Sequence, residues 1–349
     1  MLVFNILLSV PIFLACRLLP LIKSRHRGCD AYYFLLCAEY FRKYRRVPIV
    51  LPDLYLLELN EQWYPPLFSV VLGFFPIKFL KKYYWAINHF IDLIVGIALF
   101  IFLGSLPFFI LVSIVSILAT KEYINLLPSE FQKNNLLLII LNLIIILFTY
   151  LINRGILNLS VGFLISTAFF ILIGYHIFKY SYHNIIYNLG INLLGLLYIG
   201  GGMSFFILLR NINIANFHET IPLWLALIST WTTDIGAFFT GKYYGRKQLA
   251  SNISPNKTIE GAFGGIIFNF IIIIIFVSYF NFFSFYWVLY GFLSAFFAIL
   301  GDLFESSIKR DMNIKDTGDL IPGHGGILDR FDSLIFTGVF TYYFIIFIF

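Results

Sequence analysis

The sequence predicts an all-α fold that crosses a membrane many times. Three observations lead there. Of 349 residues, 60% are hydrophobic and only 12% are charged. The mean hydropathy is +0.87, and apolar runs close to the roughly 20 residues that cross a bilayer recur along the whole chain. The basic residues fall in short stretches between those runs. A water-soluble globule is excluded, and the net charge of +6 reads as membrane topology rather than as affinity for nucleic acid.

In chain order, residues 2–22 form an apolar run broken by Pro11 and Arg17, long enough for an uncleaved anchor. A polar stretch follows from Lys23 to Tyr64, and eight of the 24 Lys and Arg lie between Arg17 and Arg46. Residues 29–46 mix aromatics with cations, a pattern expected of a helix lying at a membrane surface. Leu67 to Leu80 is apolar but short for a crossing. The three cysteines, Cys16, Cys29 and Cys37, have neither metal spacing nor a disulfide pattern. Residues 1–84 are therefore expected to be an N-terminal extension with one or two apolar segments, and residues 85–349 the main membrane domain.

From Trp85 onward nine crossings are expected, near 85–104, 106–122, 135–152, 157–178, 187–210, 220–241, 261–281, 284–304 and 328–349. From residue 78 on, this threading puts Lys78, Lys81, Lys82, Lys121, Lys133, Lys179, Lys242, Arg246, Lys247, Lys257, Lys309, Arg310, Lys315 and Arg330 on one side, against Arg154 and Arg210 on the other. Positive charge favours the cytoplasmic side, so the loops at 242–260 and 305–327 are expected there together.

Those two loops carry the candidate chemistry. The C-terminal run contains Ser306, Lys309, Arg310, Lys315, Asp316, Asp319, a turn Pro322-Gly323-His324-Gly325-Gly326, and then Asp329, Arg330 and Asp332. Carboxylates suit a hard divalent ion such as Mg²⁺, and cations beside them suit phosphates. Asp302, Glu305 or Ser306, and Lys309 recur at helical spacing and would share one face. Glycines let backbone N–H groups approach an anion closely. Upstream, Asp234 lies inside an apolar run, where a carboxylate is costly and marks a functional candidate. Ser254-Pro255 followed by Lys257, Thr258 and Glu260 reads as a capped helix start facing anions.

The run from Ser306 to Asp332, with Trp231-Thr232-Thr233-Asp234-Ile235-Gly236-Ala237-Phe238 and Ser254-Pro255-Asn256-Lys257-Thr258-Ile259-Glu260-Gly261, resembles the phosphatidate cytidylyltransferase (CDP-diglyceride synthase) family over residues 85 to 349. The resemblance implies transfer of a cytidylyl group from CTP to phosphatidic acid in phospholipid biosynthesis, releasing pyrophosphate. It also implies Mg²⁺, with room for a second cation, and a homodimer. On these grounds Asp302, Asp329, Asp332 and Asp234 are the expected metal ligands. Lys309, Arg310, Lys315, Asp316, His324 and Arg330 are the expected catalytic groups, and Ser254, Lys257, Glu260, Ser306, Gly325 and Gly326 the expected substrate contacts. Lys121-Glu122-Tyr123 resembles an element after the family's early helices and reads equally as a snorkelling anchor. Residues 28–33 and 64–68 faintly resemble the first loop of multi-spanning membrane glycosyltransferases, with Asp30 in the acidic position. Rival readings are a polyprenol kinase, an archaeol cytidylyltransferase, or a transporter or scaffold that uses Asp234 for ion passage.

Overall fold

A computed structural model describes residues 96–128, 135–179, 185–212, 218–280, 283–314, 317–318 and 326–349. The expectations for residues 1–84 lie outside the described residues. The chain divides into two compact units, Met1–Phe102 and Leu103–Phe349. Of the first, only the helical stretch 96–102 is described; everything below concerns the second.

That unit is a helical bundle: α1 (Ser105–Leu126), α2 (Asn135–Asn153), α3 (Val161–Lys179), α4 (Ile185–Gly195), a π-helical turn (Leu196–Gly201), α5 (Gly202–Arg210), α6 (Ile221–Tyr244), a hairpin of β1 (Gln248–Ala250) and β2 (Ser254–Thr258), then α7 (Ile259–Tyr279), α8 (Tyr286–Asp311) and α9 (Leu328–Ile348). Seven helices among the described residues are long and apolar enough to cross a membrane, counting Ile185–Arg210 as one. The 24-residue α6 is an eighth long helix, made more polar by Thr230, Thr232, Thr233 and Asp234. Eight of the nine expected crossings thus have a helix, and residues 85–95 of the remaining one lie outside the described residues.

Local chemistry sets the boundaries. Ser160 Oγ accepts from the Phe163 amide (3.1 Å) at the start of α3. Several hydroxyls inside the apolar helices donate to carbonyls one turn earlier, as in Thr120 to Ser116 (2.7 Å), Thr233 to Ser229 (2.7 Å) and Thr341 to Thr337 (2.7 Å). The expected single crossing over 187–210 is instead interrupted by the π-helical turn at Leu196–Gly201. Gly200 there lies against Asn142 of α2, and Gly202, just beyond it, against Ile335 of α9.

The helix start expected at Ser254-Pro255 is corrected by the structure. Ser254–Thr258 is a strand paired antiparallel with Gln248–Ala250. Proline lacks an amide donor and is tolerated at such an edge. The cap is Thr258, whose Oγ1 accepts from the Gly261 amide (3.1 Å), so the helix begins four residues later than the serine suggests.

Helices α6 to α9 form the part that carries the site. Their ends near Ile221, Val277, Trp287 and Phe344 close around an apolar cluster in which Trp287 and Tyr290 are fully buried. The Tyr290 hydroxyl is shared with Ser229 (3.4 Å) and Thr341 (2.9 Å). Midway, Asn269 donates to Gly291 O (2.7 Å) and Ser294 Oγ (2.9 Å) and accepts from Thr232 (2.7 Å), which ties α6, α7 and α8 together. Small residues set the spacing: a methyl group at Gly264 would overlap the Thr240 side chain.

Candidate active site

At the far end of the same four helices the hairpin, the last turn of α8 and the first turn of α9 meet. Gly301 makes this junction close, because a Cβ there would lie 2.6 Å from the Asp332 carbonyl and 3.0 Å from Ser333 Cα. The next residue, Asp302, is thereby brought beside the start of α9.

Two groups of charges occupy the junction. In the first, Lys257 on β2 forms an ion pair with Asp302 on α8, and both side chains are about one-third exposed or less. Ser306 Oγ lies 3.5 Å from Asp302 Oδ1, one helical turn on. A cavity of about 490 Å³ opens beside the pair, lined by Thr233, Asp234, Ser254, Asn256, Lys257 and Asp302, with Ala237, Phe238, Ala262 and Ile299 as its apolar side. Asp234, Asp302 and Asp332 interact electrostatically with one another, and Arg330 acts on Asp234 from the first turn of α9. The structure brings the two sequence motifs, separated by the α7–α8 pair, to one junction.

The second group is more buried. Lys309 Nζ bridges Glu305 (2.5 Å) and Asp329 (2.7 Å), and Glu305 is only 1% exposed. The other oxygen of Asp329 accepts from the Thr317 amide (3.1 Å), the Thr317 hydroxyl (3.0 Å) and the Gly326 amide (2.9 Å). Asp329 is thus fully engaged as a tie between α8, Thr317 and α9, and the Gly326 amide is spent on it.

The remaining expected site residues are placed as follows. Arg310 donates to the carbonyls of Ile253 (3.0 Å) and Ile314 (2.9 Å), stitching the end of α8 to the hairpin. Glu260 accepts from the Arg246 (3.0 Å) and Lys247 (3.2 Å) amides and braces the turn into β1. Asp332 Oδ1 accepts from the Ser333 amide (2.5 Å). Lys315, Asp316, His324 and Gly325 lie outside the described residues. Among the described residues no group of three His, Cys, Asp or Glu side chains is arranged to hold a metal ion unaided.

Sequence reasoning undervalued Glu305, which shared the helical face of Asp302 and Lys309, and passed over Tyr198 entirely. Tyr198 lies in the π-helical turn, edge-on to Phe304 and Phe336, and is close enough to interact with Asp302, Glu305, Asp329 and Asp332. A tyrosine in an apolar run carries no local signal, whereas π-helical turns recur at functional sites.

The model of the cytidylyltransferase family matches residues 85–348. The chain belongs to that family. It is 34% identical over 247 residues to a phosphatidate cytidylyltransferase of Staphylococcus aureus (strain COL), an alignment covering 69% of this chain and 92% of the relative. A protein of the same name from Bacillus subtilis (strain 168) is 40% identical over 158 residues, 45% of this chain and 58% of the relative. Another, from Synechocystis, is 45% identical over 126 residues, 35% of this chain and 42% of the relative. Family membership thus embraces both motif loops and the helices that join them.

Proposed function

We propose that this chain transfers the cytidylyl group of CTP to phosphatidic acid, forming CDP-diacylglycerol and pyrophosphate. The observation that carries the reading is the Lys257–Asp302 pair at the mouth of a 490 Å³ cavity, with Asp234, Asp332 and Arg330 in electrostatic reach. It belongs to a chain of the cytidylyltransferase family.

The chemistry asks little of the protein as an acid or base. A phosphate monoester oxygen of the lipid attacks the α-phosphorus of CTP; that P–O bond forms as the bond to the β-phosphate breaks, and pyrophosphate leaves with the electron pair. Catalysis is then mainly positioning and stabilisation of charge. Lys257, at the cavity wall, suits a phosphate that displaces Asp302 from it, while Arg330 supplies further positive charge. The apolar side formed by Phe238, Ala262 and Ile299 suits an amphiphile that brings its headgroup to a polar end.

Mg²⁺ is part of the proposal. Magnesium is usually held by one or two carboxylates completed by substrate phosphates, so a ready-made cage of three side chains is not required. Asp302 and Asp332 fit that role best, Asp234 next, and Asp329 least, since its oxygens already hold Lys309, Thr317 and Gly326. When bound, the ion would neutralise charge on the phosphates of the leaving group. The distribution of Lys and Arg supports a cytoplasmic position for the site, and a homodimer is the assembly that the family resemblance suggests.

The test is turnover by purified full-length protein with CTP, Mg²⁺ and phosphatidic acid in mixed micelles, with archaetidic acid and polyprenol in parallel. CDP-diacylglycerol as the main product supports the reading. Product from another acceptor alone, or none with folded protein, overturns it.

A further inference from the structure

Helix α9 begins without a cap of its own: Ile327 precedes it and offers no side-chain acceptor. The missing acceptor comes from α1, some 200 residues earlier. Glu122, 3% exposed, accepts from the Ile327 amide (2.9 Å) and the Leu328 amide (2.8 Å), with the Thr317 hydroxyl at 3.4 Å. A carboxylate facing the first amides of a helix is favoured by hydrogen bonding and by the helix dipole alike. Space around it is tight. A Cβ at Gly318 would stand 3.2 Å from Glu122 Oε1, and one at Gly326 would fall 2.7 Å from its Oε2 and onto the Thr317 hydroxyl.

Glu122 therefore acts beside Asp329, which takes the Thr317 and Gly326 amides. Between them the two carboxylates hold both ends of the connection between Gly318 and Gly326. The orientation of Asp329 in turn fixes Lys309. The helix around Glu122 is set by neighbouring contacts: Tyr123 donates to the Ile191 carbonyl (2.8 Å), and Thr120, two residues before Glu122, accepts from Asn142 (2.9 Å).

We propose that Glu122 is a positioning residue for the transfer site, its carboxylate setting where Thr317 and the first turn of α9 stand relative to Lys309 and the Lys257–Asp302 pair. This rests on the cytidylyl-transfer reading for its kinetic consequence but not for the clamp itself. It contacts no reacting atom; displacement of the groups it holds lowers the rate by misalignment.

The experiment compares wild type with Glu122→Gln, which keeps the shape and one carbonyl acceptor, and Glu122→Ala, which removes both. Hydrogen–deuterium exchange of peptides covering 317 and 326–328 is read alongside kcat and KM for CTP, normalised to folded protein by size-exclusion chromatography. The expected result is amide exchange about tenfold faster in Glu122→Ala, with peptides of α7 unchanged. It comes with a kcat loss on the order of ten- to a hundredfold at nearly constant KM for CTP, Glu122→Gln lying between. Unchanged exchange in folded Glu122→Ala, or wild-type kcat with faster exchange, overturns the proposal. So does loss of activity that only tracks loss of folded protein in the Gln variant. If wild type itself turns over no CTP, the transfer reading falls and the positioning role falls with it, while the exchange arm still decides whether the carboxylate holds the segment.

Discussion

The four helices α6 to α9 end in opposite ways. At one end Trp287, Tyr290, Phe344 and Ile345 close into an apolar cluster, with the Tyr290 hydroxyl paired to Thr341. At the other, the same helices stop around a cavity and two sets of ion pairs. Under the proposed function the difference places stability at the aromatic end and chemistry at the charged end, with the Asn269 junction tying α6, α7 and α8 together between them. Within the charged end there is a second contrast. Lys257–Asp302 is part-exposed and opens onto the cavity, whereas Lys309, Glu305 and Asp329 are shielded and paired with one another through Lys309. Under the proposed function the first pair yields to a ligand's phosphate, while the second ties α8 to α9 as a brace.

The largest effect tests whether the brace belongs to both functions. Lys309→Met leaves Glu305 buried beside Asp329 without its cation, a change costing about 3–5 kcal/mol. A marked fall in Tm together with loss of turnover is expected, and adding Glu305→Gln should restore Tm but not turnover. Trp287→Ala at the aromatic end should cost a similar 3–5 kcal/mol, yet leave kcat per folded molecule near wild type, as thermal unfolding and turnover in one preparation would show. Asp302→Asn should do the converse: kcat falls on the order of a hundredfold, while Tm shifts little, because part-exposed ion pairs contribute about 0–1 kcal/mol. A large Tm loss in Asp302→Asn would break the division between ends. Gly264→Ala presses a methyl into Thr240 and should cost about 1–3 kcal/mol, read as a lower Tm. The smallest effect is expected from Arg154→Ala, an exposed residue whose side chain reaches Ser105 at 3.4 Å, with a change under about 0.5 kcal/mol and unaltered turnover.

How much of this was legible beforehand follows from the range of the interactions. The crossings were readable because span length and hydropathy are local properties, and eight expected segments have their helix. The motif loops were readable because Asp302, Lys309, Asp329 and Arg330 cluster in sequence and their family pattern is long. The hairpin was misread as a helix start because Ser254-Pro255 carries a capping signal, and only the pairing with Gln248–Ala250 revealed Thr258 as the cap. Asp329 was readable as a candidate metal ligand, but not its bonds to Thr317 and Gly326, which depend on those residues folding back onto it.

By itself, then, the sequence determined that the chain lives in a membrane, that its costly charges lie at loops two crossings apart, and which phosphate chemistry those residue types suit. Composition, periodicity and motif spacing are written residue by residue and need no partner. The tertiary structure alone decided which cation meets which carboxylate, that Lys257 reaches Asp302, and that Glu122 of α1 takes the first amides of α9. Each of these is a contact between segments tens to hundreds of residues apart, and its existence depends on helix spacing set by packing at Gly264, Gly301 and Asn269.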